Sequence, residues 1–189
     1  MSQTWFTSDL HLGHDREFIY LPRDFSSVEK MNETLIKNIN RFVAEDDKLY
    51  ILGDVMLGDS SIGLSYLREI NCKNIHIILG NHDTATREAL YRAEPNVVEV
   101  TLAKKIKLNG YHFYLSHYPT LTANLDDNGE LKKIVINLYG HTHQKTNFYE
   151  GRPYMYHVGV DSHSNYPVSI DDILNDIQWE IACCKSYLN

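Results

Sequence analysis

Ile75-His76-Ile77-Ile78-Leu79-Gly80-Asn81-His82-Asp83 decides how this chain is read. Ile75–Leu79 is a short apolar run closed by glycine, which reads as a buried β-strand. An amide, an imidazole and a carboxylate follow it at once. The same arrangement recurs along the chain. Thr4–Ser8 leads into Asp9-Leu10-His11, and Lys48–Leu52 into Gly53-Asp54. Tyr111–Ser116 leads into His117, and Ile134–Tyr139 into Gly140-His141-Thr142-His143. Strand ends are where an α/β sheet exposes side chains to a ligand crevice. The carboxylates of Asp9 and Asp54, the amide of Asn81 and the imidazoles of His11, His82, His117, His141 and His143 would meet there. No ordinary core needs that set.

Carboxylate, amide oxygen and imidazole together suit divalent ions such as Mn, Fe, Zn or Ni. So many groups exceed the needs of one tetrahedral zinc site. They fit two ions sharing a bridging carboxylate, roughly 3.5–4 Å apart, the arrangement used in phosphoryl chemistry.

Composition bounds the rest. The chain has 189 residues, enough for one domain, 1–189, with a real core, and its formal net charge is −7. An acidic chain with no Lys/Arg block is a poor candidate for gripping long nucleic acid, although metals can supply a local positive field for a small anionic substrate. Cys72, Cys183 and Cys184 lack zinc-knuckle spacing and read as reduced thiols of a cytoplasmic protein. Met1–Thr7 runs straight into the first ligand block, so signal cleavage there would cut into the site. No apolar run approaches membrane-spanning length, which leaves no membrane partner.

Between the strands the pattern is helical at first. Ser26 and Glu29 read as a capping box, and Val28, Met31, Leu35, Ile39 and Phe42 repeat at helical spacing over about 28–44. Further helices are expected at Ser60–Ile70 and Thr84–Ala93. Leu12–Phe25 reads as irregular. From residue 97 the chain turns β-rich, with strands at Val97–Leu102 and Lys104–Leu108 and a hairpin at Asn109-Gly110. Residues 119–130 read as a polar loop. Asn147–Tyr149 and Tyr154–Val158 flank a turn at Glu150-Gly151, and Ser169 caps a last helix with Ile173, Ile177 and Ile181 on one face. Alternating β and α followed by β suits two stacked sheets with helices outside.

The order Asp-x-His, Gly-Asp, Gly-Asn-His-Asp, His, Gly-His-x-His resembles that of the calcineurin-like metallophosphoesterases, over residues from about 4 to 143. The resemblance implies an α/β, four-layer α/β/β/α sandwich of two stacked mixed sheets. It implies one divalent ion on Asp9, His11, Asp54 and His143, and a second on Asp54, Asn81, His117 and His141, with Asp54 bridging. A metal-bridging hydroxide would be the nucleophile on a small phosphoester, manganese being the expected metal. His82 matches the family's non-ligand histidine, which stabilises the transition state or protonates the leaving oxygen. Asp83 either orients the His82 ring or serves as a helix N-terminal acid.

The chain departs from the protein Ser/Thr phosphatase branch at one point. That branch continues its Gly-Asp block into an Asp-Arg pair that supports phosphomonoesters, whereas here Asp54 is followed by Val55-Met56-Leu57. The Asp-Leu-His-Leu-Gly opening and Gly-His-Thr-His closing look more like the small bacterial and phage phosphodiesterase-type branch. A binding scaffold of the same fold is the competing class. Such scaffolds lose ligand residues or the catalytic histidine, and here all are present.

Other side chains are weighed separately. His14 suits a substrate contact or a solvated loop. Arg23 suits a fork on a phosphate oxygen or a surface position. His76 and His112 read as structural, and His163 as exposed.

Overall fold

The computed structural model describes residues 2–122 and 131–186. In chain order the elements are β1 (Thr4–Thr7), α1 (Glu17–Tyr20), α2 (Val28–Phe42), β2 (Lys48–Leu52), α3 (Ser60–Arg68), β3 (Ile75–Ile78), α4 (Ala85–Ala93), β4 (Val97–Thr101), β5 (Ala103–Leu108), β6 (Tyr111–Ser116), β7 (Val135–Tyr139), β8 (Phe148–Tyr149), β9 (Arg152–His157), β10 (Val168–Ser169) and α5 (Ile170–Ser186).

The strands form two five-stranded mixed sheets, in the orders β10-β1-β2-β3-β4 and β5-β6-β7-β9-β8. Alternation along each strand divides the core into two. Leu49 and Ile51 of β2, with Ile75 and Ile77 of β3, face Met31, Leu35 and Ile39 of α2 and Leu64 and Leu67 of α3. Their neighbours Tyr50, Leu52 and Ile78 face the other way, joining Phe6 against Phe113, Leu115, Ile136, Leu138 and Tyr156 of the second sheet. Helix α5 adds Ile170, Ile173, Leu174 and Ile177 to that second core. The expected α/β/β/α sandwich of two stacked mixed sheets is what forms.

Local chemistry sets the element ends. The N-cap of α2 is Ser27, which accepts from the Lys30 N–H at 3.3 Å, so the expected cap at Ser26 is displaced by one residue. Asp59 caps α3, Thr84 caps α4, and the Ser169 hydroxyl accepts from the Asp172 N–H at 3.1 Å to start α5. Ile62 is exposed, unlike Leu64 and Leu67 on the same short helix. The Asn109-Gly110 turn places both residues at positive φ, 51° and 86°, as a two-residue hairpin of matching twist requires. Leu12–Phe25 is not irregular throughout, for it contains α1 and a 3₁₀ turn at Leu21–Arg23. Of the polar loop expected at 119–130, residues 123–130 lie outside the described residues. No helix among the described residues is long and apolar enough to cross a membrane.

Direction matters most for function. In the first sheet β1, β2 and β3 are mutually parallel, and in the second β6, β7 and β9 are. Their C-terminal ends therefore gather at one rim. A bridge between Ser8 and Gly159, with Val160 N–H donating to the Ser8 carbonyl at 3.3 Å, joins the two sheets there.

Candidate metal centre

At that rim the first sheet presents Asp9, His11, Asp54, Asn81 and His82, and the second presents His117, His141 and His143. The distances are short. Asp54 Oδ2 lies 3.7 Å from His11 Nε2 and 3.5 Å from His117 Nε2. His11 Nε2 is 3.3 Å from His143 Nε2. Asn81 Oδ1 is 2.9 Å from His117 Nε2 and 3.0 Å from His141 Nδ1. Asp9, His11 and His143 form one cluster that could hold an ion, and Asp9, Asp54 and His117 form another. Asp54 stands between His11 and His117, and hence between the two expected ligand sets.

The backbone is bent to achieve this. Asp9, His11, Asp54, His141 and His143 all take left-handed conformations, with φ from 48° to 69°. Residues other than glycine seldom sit there, and Asp, Asn and His tolerate it better than bulkier types. Strain of this kind clusters at functional sites. Two glycines allow the close approach. A Cβ on Gly80 would lie 2.6 Å from the Asp54 nitrogen, and one on Gly140 would lie 2.7 Å from Asp9 Oδ2.

Hydrogen bonds fix which atoms face inward. His117 Nδ1 is 2.9 Å from the Leu52 carbonyl, which can only accept, so Nδ1 carries the proton and Nε2 turns toward Asp54. His143 Nδ1 is 2.8 Å from Asp161 Oδ2, which points its Nε2 toward His11. Carboxylate oxygens, an amide oxygen and ring nitrogens thus converge on one space. A carboxylate or carbonyl behind a metal-binding histidine is the usual support for a divalent ion, and the donor set fits one.

Burial and neighbouring charge shift the ligand groups in different directions. Burial pushes the Asp9 carboxyl up, against the lowering effect of His143 and His117. Burial, with Arg23 and His143 nearby, pushes the His11 ring down to about 2. Burial and His117 also lower His141. For both rings the shift favours the neutral form, the one that binds a metal. His143 differs, because burial is outweighed by the Asp161 hydrogen bond and the Asp9 charge, and its affinity for a proton is raised. A cation would take that proton's place.

Several expectations change. Arg23 is neither a phosphate fork nor a surface residue. Its guanidinium is buried, donating to Asp161 at 3.0 and 2.8 Å and to the Asp9 carbonyl at 2.9 Å. Asp83 neither orients the His82 ring nor acts as a free helix-end acid. It accepts from the backbone N–H of Asp54 and of Gly80, each at 2.8 Å, and from the Tyr91 hydroxyl at 2.7 Å, clamping two ligand loops together. His163 is not exposed. It is partly buried, with Nε2 2.8 Å from the His157 carbonyl. His76 is structural, held by Glu99 and Asn74 within β3. His82 sits where expected, its ring 42% exposed and Nε2 4.0 Å from Asp54 Oδ2. Its backbone N–H donates to Asp54 Oδ1 at 3.0 Å, and its carbonyl accepts from Arg87 at 2.6 Å. Sequence reasoning missed Asp161, although Asp161 follows a strand, β9, at the same rim as the other blocks.

Comparison with known proteins gives a consistent result. A model of the calcineurin-like phosphoesterase superfamily domain matches residues 4–163. An uncharacterized protein of Methanocaldococcus jannaschii is 31% identical over 185 residues, covering 94% of this chain and 93% of its own. The Gene 66 protein of Mycobacterium phage L5 is 33% identical over 165 residues, covering 76% and 78%. Among solved structures, a protein of unknown function from Aquifex aeolicus superposes with a TM-score of 0.66 at 20% identity, over 93% of this chain and 99% of that one. YfcE, a phosphoesterase from E. coli, gives 0.50 at 20% identity, over 83% and 78%.

Proposed function

Because this chain belongs to the calcineurin-like phosphoesterase superfamily, we propose that its rim of ligand residues holds two divalent ions and hydrolyses a small phosphodiester. One observation carries the reading. Asp9, Asp54 and Asn81 from one sheet and His117, His141 and His143 from the other bring carboxylate, amide and imidazole ligand atoms to one space.

Asp9, His11, Asp54 and His143 would hold one ion, and Asp54, Asn81, His117 and His141 the other, with manganese the first metal to test. When bound, two such ions lower the pKa of water toward ~7 and neutralise charge on the phosphoryl oxygens. The protein's own residues do the rest. The Nδ1 hydrogen bonds hold His117 and His143 in register. Asp83 and the Asp54–His82 backbone contact fix His82 at the edge of the cleft. From there His82 steadies the transition state or hands a proton to the leaving oxygen, work typically worth ~10²–10⁴-fold.

The diester preference rests on charge. A monoester carries one more negative charge and asks for a further cation. The Asp-Arg pair is missing, and Arg23, the arginine nearest the ligand loops on the irregular segment, is committed to Asp161 and the Asp9 carbonyl. The whole chain is read as one catalytic domain in a cytoplasmic setting, in keeping with the buried Cys72 thiol, which stands outside any disulfide. The test is kcat/KM for bis-p-nitrophenyl phosphate against p-nitrophenyl phosphate with saturating Mn²⁺, together with metal analysis. About two ions per chain and the higher efficiency on the diester are expected. A single ion sinks the dinuclear reading, and a faster monoester sinks the diester preference alone.

A further inference from the structure

Beside His11, His82 and His143 opens a cleft of about 560 Å³, within the range of small-molecule sites. Phe18, Ile19, Pro22 and Leu57 form an apolar wall of its lining. We infer that this wall is a subsite for a flat aromatic substituent of the phosphodiester, which packs on Phe18. The inference rests on the phosphodiesterase reading and adds the class of substrate.

The first argument is Phe18. It is 69% exposed on α1, a helix of four residues, so it contributes little to any core. Yet its position is set. The Phe18 ring stands at 86° to the His14 ring with centroids 5.6 Å apart, and the His14 ring is 5.5 Å from that of His11. A continuous aromatic surface therefore runs from a metal-ligand position, through His14, to an open phenyl face. Helix α1 is also anchored at both ends. His14 N–H donates to the His11 carbonyl at 3.0 Å, and Arg23, just beyond the helix, is pinned to Asp161. A preordered aromatic face costs a ligand little to meet.

The second argument is charge. The charged side chains of this cleft are Lys145 and Asp161. Lys145 Nζ donates to the Pro22 carbonyl at 2.9 Å and lies 3.9 Å from Asp161 Oδ1, while Asp161 is occupied by Arg23 and His143. That leaves little to hold a second phosphate and a surface suited to a ring. A nucleobase and a simple aryl group share the required chemistry.

Inhibition with Mn²⁺ present and bis-p-nitrophenyl phosphate as the reporter separates the possibilities. Phenylphosphonate and methylphosphonate carry the same anionic group and differ by the ring. Aromatic stacking predicts phenylphosphonate binding roughly 5- to 150-fold tighter. Thymidine 5′-phosphate against ribose 5-phosphate repeats the comparison for a base. A preference in both pairs assigns a nucleobase, and a preference in the phenyl pair alone assigns an aryl group. The preference should collapse toward unity in Phe18→Ala and fall only partly in Phe18→Leu, which keeps apolar area but no flat face. Equal inhibition within each pair, or an undiminished preference in Phe18→Ala, overturns the inference. No hydrolysis of the reporter by metal-loaded protein overturns the parent reading instead.

Discussion

Asp161→Ala strands a buried arginine. In the native fold Asp161 accepts two hydrogen bonds from Arg23 and one from His143, with the Arg23 and Asp161 side chains only 1% and 5% exposed. Burial pushes the Asp161 carboxyl up, but His143 and Arg23 outweigh it and hold the group well below the ordinary carboxylate range. Removing one member of such a pair costs ~3–5 kcal/mol, because the other charge stays buried without a partner. For a chain of 189 residues that converts to a melting temperature lower by roughly 6–20 °C. The assay is calorimetric melting of the chelated protein, so that metal binding does not enter. A double variant, Arg23→Met with Asp161→Ala, removes the stranded charge and should recover part of the loss. A second readout follows from His143, whose Nδ1 loses its acceptor. Metal affinity should fall ~10–100-fold, as for other lost supports behind a ligand histidine. A single variant that melts within ~2 °C of wild type, or a double variant no better than the sum of the singles, refutes the reasoning.

Asp54→Asn should abolish hydrolysis and lower metal content, whereas His82→Ala should keep both ions and lose ~10²–10⁴-fold in kcat, as read by metal analysis beside steady-state kinetics. Gly80→Ala places a methyl 2.6 Å from the Asp54 nitrogen, so it should cost ~1–3 kcal/mol and weaken metal binding, measured by denaturant melts and metal titration. His76, stacked on Tyr50, within hydrogen-bond distance of Glu99 and Asn74 and under the charges of Lys104 and Lys48, has its affinity for a proton lowered chiefly by burial, partly countered by Glu99. Its contribution is therefore intact above the unfolded histidine value of ~6.5 and is lost as pH falls through the lower folded value. His76→Gln should flatten the stability profile between pH 7 and 5, and an unchanged slope would count against it.

The strands and ligand blocks were legible in the sequence because each signal is local. An apolar run is followed within a few residues by a ligand type, and every such block arrives at the rim. The misread side chains owe their fates to distant partners. Arg23 is buried by Asp161, 138 positions away and two residues before His163, which reads as exposed. Asp83 owes its clamp to Tyr91 and to the Asp54 nitrogen, which β2–β3 pairing brings near, with the Gly80 nitrogen of its own loop completing it. Helix α1 has four residues, too few for any periodicity to show. The Ser26–Ser27 displacement is the one-residue ambiguity common at helix ends.

The rim is built from both sheets, and that has a consequence for assembly. Asp9 and His141 are separated by 132 positions, yet the His141 N–H donates to both Asp9 carboxylate oxygens at 3.0 Å. Loops of that length close late in folding, after local structure has formed. A partly folded intermediate that has only β1 through α4 carries Asp9, His11, Asp54 and Asn81 but lacks His117, His141 and His143 of the second sheet. Such a species has little grip on a cation. Tight metal uptake thus marks the finished molecule, and in a refolding time course it should lag the recovery of helical signal.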